Sequence, residues 1–296
     1  MRVERRNSAK WSPEGGIDMS LEFATIYWRD MLRFFRFRAL LFSSLVQPAL
    51  WLVLYGAAMS SNFSRFSSAM PLPAGTLSVT YLTFLGAGVI ALTTLFTSLF
   101  GGISILFDKN WGLLREVFAS PIPRTHIIVG IGLSGVTKSI LQVLVIMGFG
   151  LLVGVKFFQG YTALHVIYSV LGILLFVGIF SLGFLFLSSA ISMTMETPEG
   201  LQGVITLLTL PLFFASNALY PIDAFPPIMR FLSMLNPLTY LINGVRYFAI
   251  GSHFYAMGSF YIYTERDIIF SLFYLSAFAV LMFLVARRIF DKAVVT

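Results

Sequence analysis

The stretch 107–126, FDKNWGLLREVFASPIPRTH, separates two long apolar runs of the sequence. Residues 66–107 contain no charged side chain, and residues 125–155 contain only Lys138. The stretch itself is densely charged, with Asp108, Lys109, Arg115, Glu116 and Arg124. A polar island between such runs predicts that the chain leaves an apolar medium here and then re-enters it.

The composition excludes a soluble protein. Hydrophobic residues make up 57% of the chain and charged residues 11%, with a mean hydropathy of +0.86. Soluble domains have about 25% charged residues. The 296 residues contain no cysteine, which excludes disulfides and thiolate sites. We therefore expect a polytopic membrane protein with no metal and no catalytic residues.

Apolar runs long enough to cross about 30 Å of hydrocarbon predict six transmembrane helices. The expected fold class is an all-α membrane protein, with the six-span domain at 39–290. The first two spans are placed at 39–60 and 79–107, and the third follows the island and ends near 155. The others are placed at 163–190, 200–220 and 268–286.

The basic residues predict the orientation. With six spans, fourteen lysines and arginines fall on the side of the termini and five on the other side. Because positive charge favours the cytoplasmic side, both termini and the island are expected there. The segments 1–20 and 291–296 are then cytoplasmic tails. The net charge of +7 is read as this topology signal and not as nucleic-acid binding.

Residues 21–38 precede the first span and have the pattern of a basic amphipathic helix. Arg29, Arg33 and Arg36 follow one helical stripe, while most of the aromatic residues fall elsewhere. This favours a helix lying in the membrane interface in contact with lipid. The alternative is a charged extension of the first span.

Two features lie near the membrane without forming ordinary spans. The segment 221–251 is broken by prolines and predicts two short re-entrant helices near the outer face. Lys138 is the only clear charge inside a span, where it either snorkels to the interface or lines a transport pathway.

The island contains a short helix in our interpretation. Residues 108–118 lack proline, and Leu113, Leu114, Val117 and Phe118 would form its apolar face with Arg115 and Glu116 turned away. Either the membrane surface or a groove on a soluble partner would cover that face. The residues alone leave both open.

The run GAGVIALTTLFTSLFGGISILFDKNWGLLREVFASPIPRTHIIVG resembles the signature region of the ABC type-2 exporter permeases. That family includes daunorubicin-type drug exporters and nodulation-type lipo-oligosaccharide exporters. The resemblance rests on Asp108-Lys109, Trp111-Gly112, the run from Leu113 to Glu116, and Pro121-x-x-Arg124, where Pro123 is an extra proline. The later NPLTYLINGVR resembles a second family signature before the last span.

This resemblance implies a coupling helix at 107–126 that docks on a separate nucleotide-binding subunit. No GxxxxGK[ST] motif occurs in the sequence, so ATP and Mg would bind the partner. The expected assembly is a homodimer with two ATPase copies in a prokaryotic cell membrane. The expected function is export of a hydrophobic or amphipathic substrate; the alternative is a secondary transporter or channel that works without an ATPase.

Two sets of residues are predicted to matter. The ATPase-coupling set is Asp108, Trp111, Gly112, Leu114, Arg115, Glu116, Pro121, Arg124, Glu196 and Glu199. The set for the substrate path and outer gate is Lys138, Asn217, Tyr220, Asn236, Pro237 and Tyr240. Several of these residues have an alternative structural role. Trp111 and Arg124 are alternatively anchors at the membrane interface. An asparagine at the re-entrant turn is alternatively a helix cap.

Overall fold

The computed structural model describes residues 22–67, 77–119 and 123–292, and most of them are helical. The predicted tail 1–20, Pro121 and residues 293–296 lie outside these ranges. The α-helices are α1 (Glu22–Arg36), α2 (Arg38–Leu50), α3 (Gly56–Ser67), α4 (Tyr81–Gly101), α5 (Ile103–Asn110), α6 (Leu113–Ala119), α7 (Arg124–Val153), α8 (Ala163–Thr194), α9 (Pro198–Phe214), α10 (Pro227–Leu235), α11 (Pro237–Ala249) and α12 (Glu265–Lys292).

Four helical segments of the described chain are long and apolar enough to cross a bilayer. They coincide with the predicted second, third, fourth and sixth spans: Tyr81–Asn110, Arg124–Val153, Ala163–Thr194 and Glu265–Lys292. A multi-pass helical membrane protein is therefore confirmed.

The count of six spans is not confirmed. The first and fifth predicted spans correspond to the shorter apolar helices Ser44–Ser60 and Pro198–Phe214. The latter has 17 residues, which rise about 26 Å, less than the roughly 30 Å of hydrocarbon. The first is also irregular, because Pro48 lies inside α2 and a π-helix follows at Trp51–Tyr55. A proline removes one backbone donor and disturbs the regular α-helical hydrogen bonding.

The core is centred on α4, which packs against α7, α8 and α11. Small and polar residues let these helices approach closely. A Cβ atom at Gly88 would lie 2.7 Å from the carbonyl oxygen of Ala218, so only glycine fits there. The Ser188 hydroxyl donates to the carbonyl of Leu99, which joins α8 to α4.

The island differs from its predicted form. A single helix over 108–118 is wrong, because α5 continues the span to Asn110 and the chain bends before α6 begins at Leu113. The bend lies at Gly112, whose φ of +79° is in the left-handed region that favours glycine. The charged stretch is therefore split between the end of a long helix and a separate short one.

The segment after α9 contains two short helices, α10 and α11, as expected for 221–251, preceded by a 3₁₀ turn at Ile222–Ala224. Their depth in the membrane stays a prediction. A small sheet was not predicted and qualifies the all-α class. Its strands are β1 (Leu77–Ser78), β2 (His253–Ala256) and β3 (Ser259–Ile262), with β2 parallel to β1 and antiparallel to β3.

Candidate functional site

Asp108 at the end of α5 is bound by two arginines of α1. Its carboxylate oxygens lie 2.6 Å from Nη2 of Arg29 and 2.8 Å from Nη2 of Arg33. The Asp108 side chain is almost completely buried, and a buried carboxylate is stable only when it is paired in this way. The predicted interface helix is therefore fastened to the end of the second span. The Asp108 carboxylate, expected to couple to a partner, is used inside the chain.

Lys138 also pairs with α1. Its Nζ lies 2.5 Å from Oδ2 of Asp30, and the Ser134 hydroxyl donates to the same carboxylate oxygen. Both charged side chains are largely buried. An ion pair between α1 and α7 occupies the Lys138 ammonium, which differs from snorkelling to the interface, while a role in lining the pathway stays a prediction. The two residues are 108 positions apart, so nothing in the local sequence pattern indicated the pair.

Close backbone contact makes this pairing possible. A Cβ atom at Gly130 of α7 would lie 2.9 Å from the carbonyl oxygen of Phe23 in α1. Glycine at this position lets the two helices approach until Asp30 and Lys138 meet. Ion pairs from α1 therefore reach both α5 and α7.

The short helix α6 has a buried side and an exposed side. Leu114 is 3% exposed and packs in a core cluster with Ile105, Ile127 and Phe290. The prediction that Leu114 belongs to an exposed docking face is wrong, because α6 packs this face on its own bundle. Trp111 just before α6 is 65% exposed, and Arg115 and Glu116 are exposed as well.

The turn between α8 and α9 lies beside this region. Nζ of Lys109 lies 3.0 Å from the carbonyl oxygens of both Met193 and Met195. These carbonyls end α8, where a cation is favoured by the helix dipole and the unpaired acceptors. The amide of Asn110 donates to the carbonyl of Glu196 at 3.1 Å. The two predicted coupling segments are thus joined, with exposed Glu196 on the turn and exposed Glu199 in the first turn of α9.

Arg124 fastens the start of α7 to the end of α12. Its Nη1 donates to the carbonyls of Phe290 and Asp291, the latter at 2.9 Å, and its guanidinium lies 4.8 Å from the Phe118 ring centroid. The contacts of Arg124 are within the protein, which differs from the interfacial anchor considered above.

We call Arg29, Asp30, Arg33, Asp108 and Lys138 the charged cluster. Sequence reasoning named four of these residues but missed Asp30, and it also left Lys109 out of the coupling set. A carboxylate flanked by arginines in a basic helix was the available signal for Asp30. The pattern did not say which charge it would meet.

The opposite end of the bundle contains the predicted outer-gate residues. The Asn236 side chain accepts from the backbone N–H of Leu238 at 3.0 Å and donates to the carbonyl of Leu212 at 2.6 Å. It is therefore the N-cap of α11, the structural alternative considered above, with Pro237 as the first helical residue. The Asn217 amide donates to Asn243 Oδ1 at 2.7 Å.

The two tyrosines of the predicted outer gate form contacts near this end of the bundle, and their hydrogen-bond partners are residues other than those asparagines. The Tyr220 hydroxyl lies 2.8 Å from that of Tyr55, which links the chain after α9 to the first span. The Tyr240 hydroxyl donates to the carbonyl of Met234 at 2.6 Å, and its ring stacks on Tyr274. These contacts join neighbouring helices.

Arg246 is a further residue that the predicted site did not include. It is one of the five basic residues assigned to the outer side by the charge count, yet it is 0% exposed. Its Nη2 donates to the carbonyl of Asn217 at 2.7 Å, and its guanidinium lies 3.5 Å from the Phe84 ring centroid. Among the described residues, no carboxylate forms an ion pair with it. A buried cation is here stabilised by carbonyl oxygens and an aromatic face.

We call Asn217, Asn243 and Arg246 the amide–arginine cluster. Tyr261 of β3 lies beside it, with its ring centroid 5.7 Å from the Arg246 guanidinium. Burial raises the pKa of Tyr261, so its phenol stays neutral at physiological pH. With a single positive charge, the cluster joins α4, α11 and the sheet to the chain that follows α9.

Comparisons with known proteins agree with the resemblance noted from the sequence. The model of the ABC-2 type transporter family matches residues 21–250. The transport permeases named ycf38 of Porphyra purpurea and Cyanophora paradoxa are 32% and 30% identical, over 76% and 83% of this chain and 72% and 80% of theirs.

A more distant relative is the daunorubicin resistance ABC transporter permease protein DrrB1 of Streptomyces coeruleorubidus. It is 21% identical over 75% of this chain and 72% of its own length. The matched family region includes α1, both clusters and α6. The chain therefore belongs to the ABC-2 type transporter family and is a transmembrane permease.

Proposed function

From this family membership, we propose that the chain is the permease of an ATP-driven exporter and that α6 with the α8–α9 turn is its ATPase-binding surface. Permeases of this family work with an ATPase subunit. The single observation that supports the location is the fastening of the two segments by Lys109 and Asn110. This supports one shared surface, because Asn110, which directly precedes Trp111, binds the chain at Glu196.

The contacts around α6 suggest how a displacement would spread. On the N-terminal side of Gly112, α6 is connected to α5. In α5, Asp108 binds the arginines of α1 and Lys109 binds the carbonyls at the end of α8. After α6, Arg124 binds the end of α12. A subunit that moved α6 would therefore act on three helices through polar contacts, which suits a rigid-body switch driven by ATP binding.

The amide–arginine cluster is our candidate for the outer gate, together with Tyr220, Asn236, Pro237 and Tyr240. Lys138, predicted for the substrate path, holds α1 against α7 through its ion pair with Asp30. In this orientation, the charged cluster and both termini lie at the cytoplasmic end of the bundle. ATP and Mg bind the separate ATPase subunit. We propose a homodimer with two ATPase copies in a prokaryotic membrane; a plastid membrane is the alternative setting, since the ycf38 relatives are plastid-encoded.

The substrate class we propose is hydrophobic or amphipathic, exported outward as a drug, lipid or glycolipid. The Streptomyces relative is named for daunorubicin resistance, which favours this class of substrate in our proposal. The alternative function is a secondary transporter or channel without an ATPase. We rank it second, because such a protein does not need a partner-binding surface made of α6 and the α8–α9 turn.

Co-purification tests the ATPase-binding surface. The double variant Trp111→Ala with Arg115→Glu should weaken capture of the ATPase subunit about 30-fold, because exposed tryptophan and arginine side chains dominate protein interfaces. Leu114 is unsuitable for this test since it is in the core. The matched control is Arg288→Glu, an exposed charge at the same end of the bundle. Unchanged capture by the double variant would reject the proposed surface.

A further inference from the structure

The side of α1 that faces away from α7 forms an open groove lined by arginines and apolar side chains: Arg29, Leu32, Arg33, Arg36 and Phe37. The ATPase-binding surface proposed above does not include it. Its guanidinium groups lie within two turns of one helix, next to the buried Asp108.

The positive charge in this groove exceeds its negative charge. Asp108 is the carboxylate that Arg29 and Arg33 bind, and their side chains remain 38% and 26% exposed. Arg36 is exposed and makes no hydrogen bond or ion pair with the described part of the chain. Donors and positive charge are thus available to an anion.

An apolar strip adjoins the arginines on the same helix. Trp28, Leu32 and Phe35 are 63%, 38% and 54% exposed. Exposed aromatic and aliphatic side chains beside a row of arginines are the two halves of an interfacial helix. A ligand that satisfies both halves must have an anionic group joined to a hydrocarbon chain.

We propose that this groove binds an anionic phospholipid, with the phosphate on Arg29, Arg33 and Arg36 and an acyl chain along Trp28 and Leu32. Guanidinium groups bind phosphate through two parallel hydrogen bonds. A free inorganic phosphate would leave the apolar strip uncovered, whereas a phospholipid also supplies the hydrocarbon chain that covers it. The membrane around this multi-pass protein supplies the phospholipid.

The site is independent of any ATPase, so it stands or fails separately from the function proposed above. It also has a consequence for the charged cluster. Arg29 and Arg33 would share their donors between Asp108 and the lipid phosphate. A bound lipid would therefore hold α1 against the end of α5 from the membrane side.

The test titrates the purified full-length chain with palmitoyl-oleoyl-phosphatidylglycerol or with the matching phosphatidylcholine, and counts bound lipids by native mass spectrometry. We expect the wild type to bind phosphatidylglycerol more tightly. Arg36→Gln should weaken that binding about fivefold, the usual contribution of one arginine at an anionic surface. Its binding of phosphatidylcholine should not change.

The matched control is Arg288→Gln, which removes an exposed arginine at the same end of the bundle and should behave as wild type. If Arg36→Gln does not fold, Arg36→Lys retains the charge without the planar fork and should show a smaller loss.

Three results would overturn the proposal. One is equal affinity of the wild type for the two lipids. Another is displacement of phosphatidylglycerol by inorganic phosphate, because the apolar strip would then contribute nothing. The third is an Arg36→Gln variant that binds phosphatidylglycerol normally but loses the ATPase subunit, which would assign the groove to that subunit.

Discussion

The two ends of the helix bundle hold their buried charges in different ways. In the charged cluster, Asp108 meets Arg29 and Arg33 while Asp30 meets Lys138, each pair joining α1 to another helix. In the amide–arginine cluster, Arg246 has carbonyl oxygens and an aromatic ring as partners. Ion pairs between separate helices can exchange partners when the helices move. A cation fixed by backbone carbonyls holds one arrangement.

This difference fits the proposed roles. The charged cluster lies next to α6, through which the proposed ATPase would act, and its partners come from separate elements. The amide–arginine cluster joins helices at the other end, where we propose the outer gate. The predictions below test whether the two clusters differ in strength as their partners imply.

The largest expected effect is at the amide–arginine cluster. Arg246→Ala should destabilise the protein by about 3 to 5 kcal/mol, because it leaves a cavity and unsatisfied carbonyls in a fully buried site. Thermal unfolding of the detergent-solubilised protein measures the loss. Arg230→Ala on α10, an exposed arginine, is the control and should change stability by less than about 0.5 kcal/mol. Equal melting of the two variants would refute the anchoring role of Arg246.

The next effect concerns the Asp30–Lys138 pair. Asp30→Leu or Lys138→Met alone should cost about 3 kcal/mol, since each leaves a largely buried charge without its partner. The double variant should cost less than either single variant, because both charges are then gone. A double-mutant cycle on unfolding free energies measures this coupling. Strict additivity would show that the pair does not fasten α1 to α7.

The smallest effect is at the bend before α6. Gly112→Ala should destabilise the protein by about 1 kcal/mol, since alanine does not tolerate a φ of +79°. No atom lies within 4 Å of the added Cβ, so the cost is conformational alone. Gly148→Ala is the control: its Cβ also meets open space, but the residue lies inside α7 with ordinary helical geometry. If both variants lost the same stability, the bend would not need glycine.

The long helices could be predicted from the sequence because charge-free runs report membrane crossing directly. The sequence also predicted three shorter helices. The amphipathic pattern of residues 21–38 predicted α1, and the prolines in 221–251 predicted α10 and α11. The first and fifth spans show the limit of that approach, since hydropathy does not reveal the π-helix at Trp51–Tyr55 or the short rise of α9.

The site residues were harder to predict because their roles depend on tertiary contacts. Leu114 looked like part of an exposed face, but α7 and α12 cover it. Arg246 looked like an ordinary outer charge, and only the packing of α4 against it shows that it is buried. The β2–β3 hairpin left only a weak local signal, because Gly258 suits the positive φ of the two-residue turn whereas Met257, which also has a positive φ, is not a residue that such turns favour.

The central claim, that α6 and the α8–α9 turn form the ATPase-binding surface, can be tested by site-specific crosslinking. The natural sequence contains no cysteine, so Glu116→Cys and Arg230→Cys each introduce a single labelling site. Labelled with a photoreactive maleimide in the assembled complex, Glu116→Cys should crosslink to the ATPase subunit, whereas Arg230→Cys at the other end should not. Crosslinking from Arg230→Cys and none from Glu116→Cys would contradict the account.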